Sequence, residues 1–405
     1  MRILFRCDEY PPVQAGGIGS VTKIVAEELI RKGHKVFVVG TYNYGHNLPY
    51  FSNINGVAVY RLTHFQYLKY VPSFAVKYID ALFRKINYLS KSAIKANANV
   101  EEFINSVVKR EKIECIEIVD YTSLFKFFNR EVTFNKFIAP TIMRVHGSLS
   151  FIDYYKGIEN KVYIKNDINN FLRCDKICSV SKFSESFVNH KLNINKIEST
   201  VIYNPIEIDF LSKPKTSLSS NYILFIGKVT ETKGAFSLLK AFNKISRKFP
   251  NLNLILLGGG EIEIAKSIVD EDCKNKVFFM GYIDRNQIKK YIDESMFCII
   301  PTYFENFSMV ALEVMARGKA LIYSERTSGP EIINNYKDGL LVNPTNPEDI
   351  IEKAEKLLQD NDLRQSIERA AYLKIKNHFT INKIVIELES LYQEIINEKK
   401  NTNHQ

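Results

Sequence analysis

The chain is predicted to fold as an α/β protein built from two parallel-sheet domains. Three observations predict this. Its 405 residues exceed the roughly 250–300 that a single hydrophobic core usually holds. Short apolar runs alternate with amphipathic helical stretches, first up to about residue 205 and again from 222, the pattern of strands joined by crossover helices. Between the two halves, KPKTSLSSN (213–221) is polar and turn-rich. The predicted domains are 1–205 and 206–377.

In the first half, RILFR (2–6) reads as a buried strand. A helix is predicted over 20–32, with Val21, Ile24, Val25 and Leu29 on one side and Gly33 at the position past its end. KVFVVG (35–40), CIEIVD (115–120), FIAPTIMRVHG (137–147) and KICSVS (176–181) are further strand candidates, and VIYNP (201–205) closes the half at a proline. In the second half the strands are YILFIG (222–227), LNLILLG (252–258), VFFMG (277–281), FCIIP (297–301), KALIYS (319–324) and GLLVNP (339–344). Helices are predicted over 234–247 and 309–317, and a long helix over 378–398, with a disordered tail from Asn397.

Composition narrows the function classes. Apolar residues make up 45% and charged residues 25%, with only 18 Gly and 12 Pro, so a collagen-like or low-complexity chain is excluded. The net charge of +10 favours anionic partners without choosing among phosphates, nucleic acid and lipid surfaces. Cys7, Cys115, Cys174, Cys178, Cys273 and Cys298 are scattered without metal-ligand spacing, as in a reducing compartment. Arg6 and Asp8 break the first apolar run, and no run of about 18 apolar residues follows, so neither a signal peptide nor a transmembrane helix is predicted. The expected location is the cytoplasm, with peripheral contact at the inner face of a membrane. That contact would come from a single amphipathic helix over 77–95, with Lys77, Arg84, Lys91 and Lys95 on one arc and Ile79, Leu82, Ile86, Leu89 and Ala93 on the other. An ordinary surface helix with its stripe on the core fits the same pattern.

Four segments carry chemistry. The loop after the first strand holds Gly16, Gly17, Ile18 and Gly19 just before a helix, where backbone N–H groups can meet a phosphate or polar acceptor. The glycines come too late after the strand for a dinucleotide fingerprint, which removes a dinucleotide oxidoreductase. Lys228 and Lys233 follow a strand end in the second half, where two ammonium groups can neutralise a diphosphate. PTYFENFSMVALEVMARG places Glu305 in a loop and Glu313 eight residues on. Ser308 is the predicted N-cap between them, and the N–H groups of Phe307, Ser308 and Met309 are left open for a ligand. Carboxylates there can accept from vicinal sugar or ribose hydroxyls. His146-Gly147 ends the strand TIMRV, and its imidazole can hydrogen-bond a sugar hydroxyl or a developing charge. The strings Asp270-Glu271-Asp272 and Asp360-Asn361-Asp362 sit among helix-end residues and read as solvated turns, so no metal site is predicted.

Taken in order, these segments resemble the retaining glycosyltransferases of family GT4 over essentially the whole chain. The resemblance rests on Gly16 to Gly19, Lys32-Gly33-His34-Lys35-Val36, Ser181, Asn204-Pro205, Gly227-Lys228, Lys233-Gly234, Gly281-Tyr282, Glu305 to Glu313, Gly329-Pro330-Glu331 and Asp338-Gly339-Leu340. It implies the GT-B fold, with an acceptor-binding domain (1–205) and a nucleotide-sugar-binding domain (206–377) facing across a cleft and the last helix returning to the first domain. It implies that Lys228 and Lys233 hold the donor diphosphate, that Glu313 accepts from ribose and that the backbone near Tyr282 meets the base. Glu305 and the amides of Phe307, Ser308 and Met309 would hold sugar and phosphate. His146 would contact the sugar near the reacting carbon, with catalytic roles for His146, Glu305 and Lys233. Gly17 would face the diphosphate, and Gly16 and Ile18 the acceptor. Lys228 stands where the family often has Arg, and Asn306 where it commonly has Gly. The implied reaction is metal-independent, same-face transfer of a hexose from a UDP- or GDP-type donor to a carbohydrate or lipid-linked acceptor in surface polysaccharide or glycolipid assembly, with no cofactor and no nucleic acid. The alternatives are a nucleotide-sugar 2-epimerase on the same fold and a basic, nonenzymatic nucleic-acid or membrane-binding protein.

Overall fold

The computed structural model describes residues 1–12, 16–43, 48–65, 87–212 and 220–402. The chain divides into two compact units, Met1–Tyr203 with Ile384–Gln405, and Asn204–Lys383.

Eight strands form the sheet of the first unit. They are β1 (Arg2–Arg6), β2 (Lys35–Asn43), β3 (Phe51–Ile54), β4 (Val57–His64), β5 (Cys115–Val119), β6 (Thr141–Val145), β7 (Lys176–Ser179) and β8 (Glu198–Val201). Their spatial order is β3-β4-β2-β1-β5-β6-β7-β8, parallel throughout except that β3 runs antiparallel to β4. The β3–β4 hairpin turns on Asn55 and Gly56, both at positive φ (50° and 88°), the backbone that a two-residue hairpin loop needs. Ile3, Leu4, Ile116, Ile118, Ile142 and Met143 are fully buried, as strands covered on both faces require. The strand order reverses direction between β1 and β5. In open parallel sheets ligands collect at the carboxyl ends beside such a reversal.

The helix Gly17–Arg31 packs Val21, Ile24, Val25 and Leu29 inward and ends at Gly33 (φ 87°). There the N–H groups of Gly33 and His34 bond to the carbonyls of Ile30 and Leu29, a left-handed C-terminal cap. The helix Tyr88–Glu111 begins after Asn87, which is left-handed (φ 56°). A continuous helix over 77–95 is therefore corrected: no α-helix passes through Asn87, and Lys77, Arg84, Ile79, Leu82 and Ile86 lie outside the described residues. From Tyr88 on, Leu89 and Ala93 are buried while Lys91 and Lys95 are exposed.

The last helix, Ile381–Thr402, runs past Asn397, so the predicted disordered tail is also corrected. Its apolar residues Leu388, Leu391, Tyr392, Ile395 and Ile396 are buried, and from Ile384 onward it belongs to the first unit. Burying such side chains contributes roughly 1.5–3 kcal/mol each, which explains why the helix does not fray. Lys176, itself buried, bonds Glu198 (2.8 Å) and Glu398 (3.0 Å) and also Glu394. Among the described residues these three carboxylates are the one acidic cluster close enough to hold a cation, and the Lys176 ammonium fills that role.

The second unit contains β9 (Tyr222–Ile226), β10 (Asn253–Leu257), β11 (Val277–Gly281), β12 (Cys298–Ile300), β13 (Leu321–Ser324) and β14 (Leu340–Val342), in the order β11-β10-β9-β12-β13-β14, all parallel. Its core joins Phe225, Leu238, Phe242, Leu254, Leu256, Ile299, Ile322 and Ile350. The order reverses between β9 and β12, which places the ligand-binding edge of this sheet beside the loops that follow those two strands. All six cysteines are buried and unbridged. No helix of the described residues is long and apolar enough to cross a membrane.

Candidate functional site

In the second unit, close backbone packing fixes the loop that carries Lys228 and Lys233. The N–H of Gly227 bonds to the Leu257 carbonyl and that of Val229 to Gly259, both at 2.9 Å, while Glu261 bonds back to Val229 at 2.8 Å. Gly234 (φ 75°) opens the helix Ala235–Lys248, and a Cβ there would lie 1.9 Å from the Pro301 carbonyl oxygen. Only glycine allows the lysine loop to press against the loop after β12. The Thr232 carbonyl then receives the Tyr303 N–H (3.0 Å) and the Thr302 hydroxyl (3.2 Å).

This seam joins two predicted site residues. Lys233 Nζ lies 2.5 Å from Glu305 Oε2, and each side chain is about a third exposed (32% and 29%). Lys228, five residues earlier in the same loop, is exposed. Ser308 is the N-cap that the sequence predicts, its hydroxyl accepting from the Ala311 N–H (3.2 Å) at the start of the helix Met309–Ala316. Asn306, Phe307 and Ser308 are buried, so whatever the amides of 307–309 offer a ligand comes from backbone rather than side chain.

Glu313 differs from expectation. Instead of standing as a bare acceptor, its Oε1 receives Arg285 Nη2 at 3.3 Å, and the same guanidinium reaches Glu207 Oε2 at 3.1 Å. Burial pushes Glu313 up to about 7, partly offset by the charge and hydrogen bond of Arg285. Arg285 is held in place by its own neighbours. It opens the helix Arg285–Glu294, which Asp284 caps by accepting from Asn286 N–H (2.9 Å), and its guanidinium stacks 4.9 Å from the centre of the Phe210 ring. Sequence reading missed Arg285, because an arginine at a helix start 28 residues from its partner carries no local signal. Tyr282 is 77% exposed at the end of β11.

In the first unit, His146 and Gly147 follow β6, and a buried carboxylate fixes their backbone. Asp120 Oδ1 accepts from His146 N–H and Oδ2 from Gly147 N–H, both at 2.9 Å. Burial pushes Asp120 up to about 7, with these two N–H groups pulling it back. The His146 ring is driven down to about 3, first by burial and second by the charge of Arg144. It is therefore neutral at physiological pH and able both to donate and to accept. Asp120 ends the run that the sequence identified as a strand. A carboxylate at the carboxyl end of β5 was the available signal for it.

The glycine loop behaves unevenly. The helix begins at Gly17, three residues before the predicted start. Gly16 N–H bonds to Glu9 Oε2 (3.1 Å), and a Cβ on Gly19 would lie 2.1 Å from the Glu9 carbonyl oxygen. At Gly17 a Cβ would meet nothing within 4 Å, so Gly17 fronts open space. Ile18 is half-buried, and its carbonyl receives the Thr22 hydroxyl (2.9 Å). Of the two aspartate strings, Asp270 and Asp272 both bind Arg247 (2.7 and 2.9 Å), and Asp360 caps the helix Asn361–His378 by accepting from Leu363 N–H at 2.9 Å. Lys228, Lys233, Glu305, Phe307, Ser308, Met309, Glu313 and Tyr282 thus belong to the second unit, and Gly16, Gly17, Ile18 and His146 to the first.

Two family models match almost end to end: Glycosyltransferase Family 4 over residues 15–210, and Glycosyl transferases group 1 over 208–374. The chain is a glycosyltransferase. An uncharacterized glycosyltransferase of Methanocaldococcus jannaschii is 26% identical, over 97% of this chain and 98% of its own. The N-acetylgalactosamine-N,N'-diacetylbacillosaminyl-diphospho-undecaprenol 4-alpha-N-acetylgalactosaminyltransferase of Campylobacter jejuni is 25% identical, over 53% of this chain and 62% of its own. Among solved structures, sucrose-phosphate synthase from Thermosynechococcus elongatus shares the fold with a TM-score of 0.78 (17% identity, 98% of this chain and 99% of that one). Anabaena HepE in complex with UDP-glucose does so with a TM-score of 0.68 (14% identity, 97% and 100%). The glycosyltransferase thus has the two-domain fold of these enzymes, with a parallel sheet in each half.

Proposed function

We propose that this glycosyltransferase is a retaining, metal-independent enzyme of family GT4 that moves a hexose from a UDP- or GDP-type donor to an acceptor hydroxyl. The observation that carries the reading is the Lys233–Glu305 pair at the reversal point of the second sheet, with Glu313 eight residues on and a capped helix N-terminus between them. A diphosphate needs cations and N–H donors, which Lys233, Lys228 and the first turn of Met309–Ala316 supply. Ribose and hexose need acceptors for vicinal hydroxyls, which Glu313 and Glu305 supply. The Anabaena relative with UDP-glucose supports a donor of this chemical class.

In this reading the acceptor oxygen forms a bond to the anomeric carbon on the face from which the diphosphate departs. The C–O bond to phosphate breaks, and the acceptor proton passes to the leaving phosphate oxygen. Lys228 and Lys233 stabilise the diphosphate charge as it develops, so a metal is not required for that task. In the same reading neutral His146 contacts the transferred sugar near the reacting carbon, Gly17 faces the diphosphate, and Gly16 and Ile18 face the acceptor. The Campylobacter relative, named for a diphospho-undecaprenol substrate, supports a lipid-linked acceptor and a place in polysaccharide or glycolipid assembly. A 2-epimerase would need acid–base carboxylates flanking the sugar. The two carboxylates at this site are instead engaged by Lys233 and Arg285, which favours transfer.

The test is thermal stabilisation by UDP-glucose, UDP-galactose, UDP-N-acetylglucosamine and GDP-mannose, since a bound donor raises the melting temperature by mass action. The best donor is then supplied with lipid-linked and free sugar acceptors, with and without EDTA, and the product's anomeric configuration is read by NMR. Inversion, or loss of turnover with EDTA, would remove the retaining, metal-independent reading. Release of a free epimerised sugar would favour the epimerase.

A further inference from the structure

The segment that carries His146 is held from two sides. Between Thr141 and Ser150 only His146, Gly147 and Leu149 are not buried, and Gly147, at φ 122°, makes the bend between the end of β6 and the helix Leu149–Tyr155. Glycine takes such a backbone readily, and the same freedom would let the chain swing there. On one side of the bend, Asp120 accepts from the N–H groups of His146 and Gly147. On the other side the donors go to a second carboxylate.

That carboxylate is Asp167, buried (3% exposed) within the helix Lys161–Phe171. Its Oδ2 accepts from the Ser150 N–H at 3.0 Å and also from the Ser150 hydroxyl. Ser148 Oγ stands 3.3 Å from Ser150 Oγ and caps the helix Leu149–Tyr155 by accepting from Phe151 N–H (3.4 Å). Burial pushes Asp167 up to about 6, with hydrogen bonds from Ser148 and Ser150 pulling it back, so at pH 8 it is an ionised acceptor. Capping alone does not need it. Ser148 already supplies the N-cap, as Ser181 and Ser308 do for their helices, and a buried charge costs desolvation that a neutral side chain avoids. What Asp167 adds is a tie from the helix start to a separate element, so that the Gly147 bend is fixed at both ends.

We infer that Asp167 is a positioning residue for His146: by holding Ser150 it keeps the helix start behind the Gly147 bend in place, and so fixes where the imidazole is presented to the transferred sugar. This rests on the reading that sets His146 beside that sugar, and adds to it the helix from which the ring's position is controlled.

The experiment compares Asp167→Ala, Asp167→Asn and Ser150→Ala at pH 8, each alone and in a His146→Ala background. Turnover is read as nucleoside diphosphate released from the best-binding donor among UDP-glucose, UDP-galactose, UDP-N-acetylglucosamine and GDP-mannose, with the sugar acceptor that wild type uses or with water. Asp167→Ala is expected to lower turnover about ten- to a hundredfold, the cost of a small misplacement, while donor affinity by calorimetry stays within about twofold. Ser150→Ala keeps the N–H and loses one hydroxyl donor, so turnover should fall about three- to tenfold. Asp167→Asn should stay within about threefold of wild type, because a single oxygen takes both Ser150 donors and an amide still offers one. With His146 already removed, Asp167→Ala or Ser150→Ala should lower the remaining turnover by less than about twofold, whereas a residue that serves only the fold would cost the same in both backgrounds. Hydrogen exchange of the His146–Phe151 amides should be at least about tenfold faster in Asp167→Ala, with the second unit unchanged. Equal losses in the two backgrounds, donor affinity falling in step with turnover, Asp167→Asn as impaired as Asp167→Ala, or unchanged exchange would each overturn the inference. If Asp167→Ala does not fold, Ser150→Ala in the two backgrounds decides it. Wild-type turnover in His146→Ala would instead overturn the reading of His146, and this inference with it.

Discussion

Arg285 Nη2 stands 3.3 Å from Glu313 Oε1 while also reaching Glu207 at 3.1 Å, so one guanidinium serves two carboxylates. Shared in this way, Arg285 does not fully offset the burial of Glu313, whose side chain is 13% exposed. The carboxyl consequently titrates near 7 rather than in the usual carboxylate range.

A stability effect follows from that shift. The folded protein holds the Glu313 proton up to about pH 7, whereas the unfolded chain releases it near 4.5. Between these values the folded state binds more protons than the unfolded, so this group's contribution to stability falls as pH rises through the window. Glu313→Gln, which imitates the protonated form, should melt like wild type near pH 4.5 and above it by roughly 2–4 °C or more at pH 8. Melting curves across pH 4.5–8 check this. A gap that is constant with pH would contradict it. The same substitution should weaken nucleoside diphosphate binding at pH 8 roughly tenfold, since a charged acceptor is lost.

Lys233 and Lys228 should separate in their effects. Lys233 is committed to Glu305, so Lys233→Ala removes the partner of a carboxylate and, on the proposed reading, a phosphate cation. It is expected to abolish measurable transfer. Lys228 is exposed, and an exposed cation is screened by salt, so Lys228→Ala should cost about three- to tenfold in donor affinity at low ionic strength and less at 0.5 M salt. Titration calorimetry at two salt concentrations measures both. Salt-independent loss in Lys228→Ala would mean that it acts by packing rather than by charge.

The candidate site was legible where chemistry sits at a strand end. Lys233, Glu305 and Ser308 each lie in a loop that follows an apolar run, and the run itself predicts a strand whose carboxyl edge the loop must occupy. Arg285 was not legible, because it meets Glu313 through tertiary packing alone. The fold was legible in its parallel βα rhythm. The β3–β4 hairpin was not read from the sequence, although Asn55-Gly56 is a strong two-residue turn signal. The helix over 77–95 was over-extended because arc counting cannot detect a left-handed residue, and Asn87 adopts one. The last helix was cut short because its polar final residues resemble a tail, whereas Glu394 and Glu398 reach Lys176.

Asp120 should act on turnover more than on donor binding. Its two oxygens bind two successive N–H groups, and an amide has only one oxygen to offer. Asp120→Asn therefore leaves one of the His146 and Gly147 N–H groups facing an NH₂. Transfer is expected to fall by about ten- to a hundredfold while donor affinity, which the proposed reading assigns mainly to the other unit, stays within twofold. The His146 ring titrates near 3, so the wild-type rate profile should show no imidazole inflection near 6.5, and His146→Asn should lower the rate without changing the profile's shape between pH 5 and 8. Steady-state kinetics across that range decides both points.

The C-terminal helix offers a contrast between a buried and an exposed attachment. Tyr392, fully buried, donates to Glu117 Oε2 at 2.6 Å, and burial already pushes the Glu117 carboxyl upward. Tyr392→Phe strips this carboxylate of a hydrogen bond and leaves the charge of Arg144 to hold it, which should cost about 1–3 kcal/mol. The variant drives Glu117 further up, so the deficit should grow as pH rises through the already raised titration of the wild-type carboxyl and level off below it. Lys176→Met is the opposite case. It removes the cation from among Glu198, Glu394 and Glu398, whose side chains are 67%, 49% and 54% exposed, so water and salt take over much of its role. Its cost should be smaller than that of Tyr392→Phe, nearly flat from pH 6 to 8, and reduced by 0.5 M salt as mutual carboxylate repulsion is screened. Melting of both variants over pH 4.5–8 at two salt concentrations separates them. A salt-sensitive Tyr392→Phe deficit with a salt-insensitive Lys176→Met deficit would show that the polar cluster, and not the buried phenol, holds the helix against the sheet.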